Sequence, residues 1–118
     1  MSELWDTRHP VASNILAYPE GHAALAAARR AGRLTATGYD RASEDFEAVQ
    51  GELLLMGIDE RLARHAGSLA ADLRLRGADA VHLASALALG ADSTAVVTWD
   101  HELARAARES GCAVASTA

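Results

Sequence analysis

Apolar residues recur at helical spacing through Leu62, Ala66, Leu69, Ala70 and Leu73, and Asp59 stands where such a helix needs a cap. This stretch predicts a long amphipathic helix, to whose core Met56 is assigned. Towards the N-terminus, Val11–Leu16 reads as a short strand. Pro19 then suits the first turn of a helix that runs to about Ala31 and is closed by Gly32. Thr37–Tyr39 reads as a turn, and a second helix follows from about Asp40 to Leu53. Its acids Glu44, Asp45, Glu47 and Glu52 form a solvated face, and Leu53–Ile58 reads as a short edge strand.

Beyond Gly77 the pattern is denser. Asp79 opens an apolar helix over AVHLASALAL, Ala95–Trp99 reads as a buried strand, Asp100 opens a further helix stopped by Gly111, and Cys112–Ala115 reads as a final strand. Strands separated by helices pair in parallel through right-handed crossovers. The expected class is therefore α/β, a mainly parallel sheet with helices on both faces. At 118 residues the chain is long enough for one domain with a real core and too short for two.

Composition removes several classes of function. No run of 18 or more apolar residues occurs, so no membrane span is expected. Glu3 and Asp6 replace the basic start of a signal peptide, which makes the cytoplasm the default location. Cys112 is the only cysteine, so neither an internal disulfide nor a thiolate zinc cluster is expected, and its place in CAVA marks a buried thiol. The net charge of −5 opposes nucleic-acid binding through the overall field. The basic side is wholly arginine, with Arg29, Arg30 and Arg33 clustered at one helix end. That cluster either complements the helix dipole or contacts phosphate.

The candidate chemistry lies in RGADAVHLASALALGADSTAVVTWDHELARAARESG, Arg76 to Gly111. Asp79 and Asp100 open successive helices with a strand between them, which places both carboxylates at one edge of the sheet. Each alone reads as an N-cap. Together, at the carboxyl ends of strands, they also read as a ligand-binding pair. A hard cation such as Mg²⁺ prefers carboxylate oxygens and water, and acids packed together without a cation repel one another.

The segments RGADAVHLASAL and VVTWDHELARAA, with ASNILAYPEGHAALAAARRAGRL upstream, resemble PIN-domain ribonucleases, in particular the VapC-like toxins of bacterial toxin–antitoxin pairs. The resemblance runs from about Val11 onward. It implies a PIN-like three-layer sandwich and a cluster of acids that binds Mg²⁺ or Mn²⁺ and cleaves RNA phosphodiesters. It also implies a homodimer and a cognate antitoxin. Carried over by position, the site residues are Glu20, Asp79 and Asp100 as metal-binding and catalytic acids, with Thr98 as a supporting hydroxyl. The family pattern begins with a central strand ending in aspartate, and a helix follows. The expectation here is that this unit is absent, with Asp6-Thr7 only superficially similar to it. Val11–Leu16 and Ala95–Trp99 must then pair directly, borrow a strand from another chain, or leave backbone groups unpaired.

Other side chains read less sharply. His82, one turn after Asp79, reads as a packed or locally bonded ring, and His101 as solvent-facing. His9, His22 and His65 lack the spacing of zinc ligands. Ser85 has no base arranged beside it, and Trp99 reads as core rather than as a base-stacking platform, a role also open to Trp5. Gly-rich phosphate loops do not occur. Two rival functions stand beside the nuclease. One is a catalytically inactive PIN-like domain kept for binding or dimerisation. The other is a phosphate-acceptor domain of receiver type, disfavoured because the chain has no lysine.

Overall fold

A computed structural model of the chain describes residues 12–98 and 100–115. Two compact units are present, Met1–Gly57 and Ile58–Ala118.

In the first unit, strand β1 (Ala12–Asn14) leads into helix α1 (Ala17–Arg30), helix α2 (Ala36–Glu52) and strand β2 (Leu54–Met56). β1 and β2 pair in parallel with Ala12 opposite Leu54 and Asn14 opposite Met56, and the Ile15 N–H extends the ladder to the Met56 carbonyl at 2.7 Å. Asn14 is almost fully buried where β1 ends, which would be costly for an unpaired amide. Its Nδ2 donates to the Gly57 carbonyl at 3.2 Å and its Oδ1 accepts the Leu16 N–H at 2.9 Å. This one side chain joins the two strand ends and sets the turn into α1. The two helices form an antiparallel hairpin that meets at Gly21, where a methyl group would fall 2.1 Å from Phe46 Cζ. Only glycine permits that approach with the ring where it is.

The second unit comprises helices α3 (Glu60–Leu73) and α4 (Gly77–Leu89), a 3-10 turn (Ala91–Ser93), strand β3 (Ala95–Val97), helix α5 (His101–Glu109) and strand β4 (Ala113–Ala115). β3 and β4 are parallel, with Val96 opposite Val114. The core is built from Ala66 of α3, Ala80, Leu83 and Ala84 of α4, Leu103, Ala106 and Ala107 of α5, together with Leu75 and Cys112. Alanine at so many of these places lets helix backbones approach closely, and Leu83 is the largest wholly buried apolar side chain among the described residues. Full burial of a leucine contributes about 1.5–3 kcal/mol.

Several expectations hold. Asp59 caps α3 by accepting the Leu62 N–H at 2.8 Å, the strand at Leu53–Ile58 forms over Leu54–Met56, and the Cys112 thiol is buried. Gly32 and Gly111 take positive φ of 77° and 89° where their helices stop. The helix expected around Pro19 forms as α1, with Pro19 in its first turn as anticipated. Others are corrected. α2 begins at Ala36, because the Thr35 hydroxyl accepts the Gly38 N–H at 3.0 Å and the expected turn at Thr37–Tyr39 is helical. Met56 lies in β2 rather than in the core of α3. α4 begins at Gly77 behind the N-cap Arg76, so Asp79 sits within the first turn and is not the cap. Among the described residues each strand pairs within its own unit, β1 with β2 and β3 with β4. The readings of Trp5, Asp6, His9 and Trp99 fall outside the described residues.

Candidate functional site

Asp100 is the best-defined of the candidate acids. It caps α5, and its Oδ1 accepts the N–H of Glu102 at 2.9 Å and of Leu103 at 3.0 Å. Its own N–H donates to the Thr98 hydroxyl at 3.0 Å, while the Thr98 N–H donates to the Ala115 carbonyl at 3.2 Å. Thr98 thus continues the β3–β4 ladder and sets the turn that presents the carboxylate. Both cap bonds go to one oxygen, and the exposed side chain keeps Oδ2 outside them.

Asp79 belongs to the same unit. The connectivity places it at the same edge. α5 links the parallel strands β3 and β4, so it runs antiparallel to them, with its N-terminus at the carboxyl end of β3. α4 enters β3 through the short 3-10 turn and packs on it, so α4 also runs against the strand. The first turns of both helices therefore belong to the carboxyl edge of β3, where their dipoles present positive ends to anionic groups. Asp79 is half-buried there and Asp100 is exposed.

Glu20 lies in the first unit, exposed in the first turn of α1. Asn14 secures the turn before that helix, and the Glu20 N–H donates to the Leu16 carbonyl at 3.3 Å. Among the described residues, no three or more His, Cys, Asp or Glu side chains are gathered as a metal-binding group. The second unit alone contributes a pair of carboxylates at one strand edge. Such oxygen donors match a hard divalent cation that retains several waters.

The remaining candidates sort by their surroundings. The Ser85 hydroxyl is buried and donates to the Val81 carbonyl at 2.8 Å, an intrahelical bond rather than a nucleophile's arrangement. His101 and His65 are exposed and His82 is half-buried. Burial pushes the Cys112 thiol up from its ordinary value, which disfavours the reactive thiolate.

One cluster is not legible in the sequence. The Tyr18 hydroxyl donates to Glu47 Oε1, and His22 Nε2 lies 2.7 Å from the same oxygen. The Tyr18 and His22 rings meet edge-on with centroids 4.9 Å apart, and His22 meets Phe46 in the same way at 5.0 Å. Hydrogen bonds from Tyr18 and then His22 hold the Glu47 carboxyl below its usual value, while the bond to Glu47 raises that of Tyr18. The spacing of Tyr18 and His22, four residues apart on one helix, was the available signal. The acid they share, Glu47, belongs to the solvated face of α2, and nothing in its spacing points to α1.

The two-helix hairpin between parallel strands, followed by helices converging on an acidic strand edge, defines a class. The chain belongs to the PIN-domain family, whose model matches residues 24–109. Among curated proteins it is similar to Ribonuclease VapC45 of Mycobacterium tuberculosis strain CDC 1551, at 45% identity over 114 residues that cover 97% of this chain and 79% of that protein. It is equally similar to Ribonuclease VapC49 of strain H37Rv, and it is 36% identical over 112 residues to Ribonuclease VapC46 of that strain. No solved structure matches the chain significantly. Among the described residues no helix is long and apolar enough to cross a membrane.

Proposed function

We propose that this protein is a metal-dependent endoribonuclease that hydrolyses RNA phosphodiester bonds, the toxin of a toxin–antitoxin pair. The observation that carries this reading is the placement of Asp79 and Asp100 at the carboxyl edge of β3, with Thr98 orienting the second of them. The similarity to proteins named as VapC ribonucleases supports the same chemistry. The cytoplasm, a homodimer and a cognate antitoxin complete the proposal.

Asp79 and Asp100 are the residues that would hold Mg²⁺ or Mn²⁺, and Glu20 is assigned to the same acidic set. When bound, such an ion polarises a phosphodiester oxygen and makes water more acidic. The chain's own contribution is positional. Asp100 is doubly tied through Oδ1, so its second oxygen is aimed by the cap rather than free to rotate. The helix N-termini favour anionic groups, including the phosphate of a bound strand. Glu20, exposed at the start of α1, is the carboxylate assigned to orient the attacking water and accept its proton. Single-stranded or looped RNA, with its backbone open to approach, is the proposed substrate.

The test is Mn²⁺ binding by calorimetry on the chain and on Asp79→Asn, with RNA cleavage measured in the same buffers. Binding and Mn²⁺-dependent cleavage that both disappear in the variant support the reading. A folded chain that binds no Mn²⁺ and cleaves no RNA overturns it in favour of a PIN-like domain retained for association.

A further inference from the structure

The end of α1 carries a concentration of positive charge that the acidic site does not use. Arg29, Arg30 and Arg33 are all exposed. Gly32, at φ 77°, turns the chain back so that its N–H donates to the Arg29 carbonyl at 3.1 Å and the Arg33 N–H donates to the Ala28 carbonyl at 2.9 Å. This closure folds the backbone of Arg33 against the last turn of the helix, so that Arg33 follows Arg29 and Arg30 at the same helix end. Arg29 Nη1 also leans on the Leu34 carbonyl at 3.4 Å.

Two arginines of the second unit have acidic partners. Arg64 pairs with Glu60 at 2.8 Å, and Arg105 pairs with both Glu102 and Glu109 at 3.1 Å. Arg29, Arg30 and Arg33 make no ion pair among the described residues, although Asp40 follows a few positions later in α2. The helix dipole accounts for a cation in the last turn at about 0.3–1 kcal/mol, but Arg33 lies beyond that turn. A polyanion approaching a chain of net charge −5 needs a local group of cations to hold it. The planar fork of arginine matches the oxygens of a phosphodiester.

We propose that Arg29, Arg30 and Arg33 form a phosphate-binding corner for single-stranded RNA, gripping the backbone away from the bond that is cut. The inference rests on the ribonuclease reading above. Glu20 and Arg30 are ten residues apart on one helix, which separates them by about 15 Å along the axis and about 80° around it. A strand whose scissile phosphate lies near Glu20 therefore reaches Arg30 with flanking backbone. Contacts of this kind position RNA without reading its bases.

The experiment measures binding of labelled single-stranded RNAs of unrelated sequence to the cleavage-silenced Asp79→Asn chain over a range of salt. The same chain carrying Arg30→Gln and Arg33→Gln should bind every RNA more weakly. Its logarithmic salt slope should shrink by about 1.4, since each phosphate contact on a single strand contributes about 0.7. Arg30→Lys with Arg33→Lys should keep most of that slope. In the active chain the glutamine pair should raise KM more than it lowers kcat. Circular dichroism checks folding, and Arg33→Gln alone, outside the helix, serves if the pair perturbs it.

An unchanged slope in the glutamine pair, with RNA still bound and cut by the parent, overturns the arginine proposal alone. Loss only of a protein partner, with RNA binding intact, overturns it too and marks a protein-docking surface. If the parent neither binds nor cuts RNA, the ribonuclease reading falls and takes this inference with it.

Discussion

The Thr98 hydroxyl accepts the backbone N–H of Asp100 at 3.0 Å, and Asp100 in turn caps α5 through a single carboxylate oxygen. One short turn thus gives the same aspartate a structural task and, on the proposed function, a chemical one. Substitution separates the two. Asn is as good a cap as Asp, whereas Ala is not. Asp100→Ala should lower stability by about 1 kcal/mol and Asp100→Asn by only a few tenths. Both should lose Mn²⁺-dependent cleavage. Thermal melts alongside RNA assays check this, and an active Asp100→Asn would confine the residue to capping.

At the centre of the α1–α2 hairpin, Gly21 faces the Phe46 ring. Alanine gains about 1 kcal/mol in helix propensity over glycine. Overpacking typically costs about 1–3 kcal/mol. The clash at 2.1 Å makes the second effect the larger one, so Gly21→Ala should destabilise the chain by about 1 kcal/mol net. Adding Phe46→Leu should restore part of the loss. Denaturant titration of the two single variants and the double variant would expose this coupling, and strictly additive effects would show that the ring simply moves aside.

The cluster at Glu47 predicts a pH dependence with a definite sign. Its carboxyl is held below the usual value by hydrogen bonds from Tyr18 and His22. A depressed folded-state value gives stabilisation that is present above the unfolded value and is lost as pH falls through the folded one. The loss should therefore begin below the ordinary glutamate value of 4.5 and continue downward. Tyr18 is raised, so its contribution is present below its ordinary value of 10.0 and disappears as pH climbs through the folded one. Glu47→Gln should flatten both limbs of a stability profile relative to the parent chain. The effect is modest, because Glu47 and its partners lie at the surface.

Arg74 ends α3 in the left-handed region, at φ 57° and ψ 44°. A side chain there is strained by about 1–2 kcal/mol relative to the right-handed region, a cost that glycine avoids. The turn is held by the Leu75 N–H, which donates to the Ala70 carbonyl at 3.1 Å. Arg74→Gly should accordingly raise stability by up to about 1 kcal/mol, after allowance for the greater freedom of unfolded glycine. A lower melting temperature in that variant would mean that the arginine side chain contributes more than its backbone strain removes.

Much of this arrangement was legible before any tertiary contact was known, because it depends on local rules. Asp59 and Asp100 announce helix starts, Gly32 and Gly111 announce helix ends, and the alternation of apolar runs with helices implies parallel strands. The order of Glu20, Asp79, Thr98 and Asp100 carried the family resemblance for the same reason. At two helix starts local rules compete. Thr37–Tyr39 resembles a turn, yet the Thr35 cap carries the helix through it, and Asp79 resembles the cap that Arg76 provides three residues earlier.

Sequence alone therefore determined the succession of elements, the lone buried thiol and the acids available for chemistry, since each follows from residue type and near-neighbour spacing. Tertiary structure decided which of those residues meet. Asn14 closes onto Gly57 across 43 positions, and Glu47 accepts from Tyr18 and His22 on another helix. No periodicity encodes such pairs. They arise because a buried amide must find hydrogen-bond partners and because two helices that touch at a glycine bring whatever flanks it into contact.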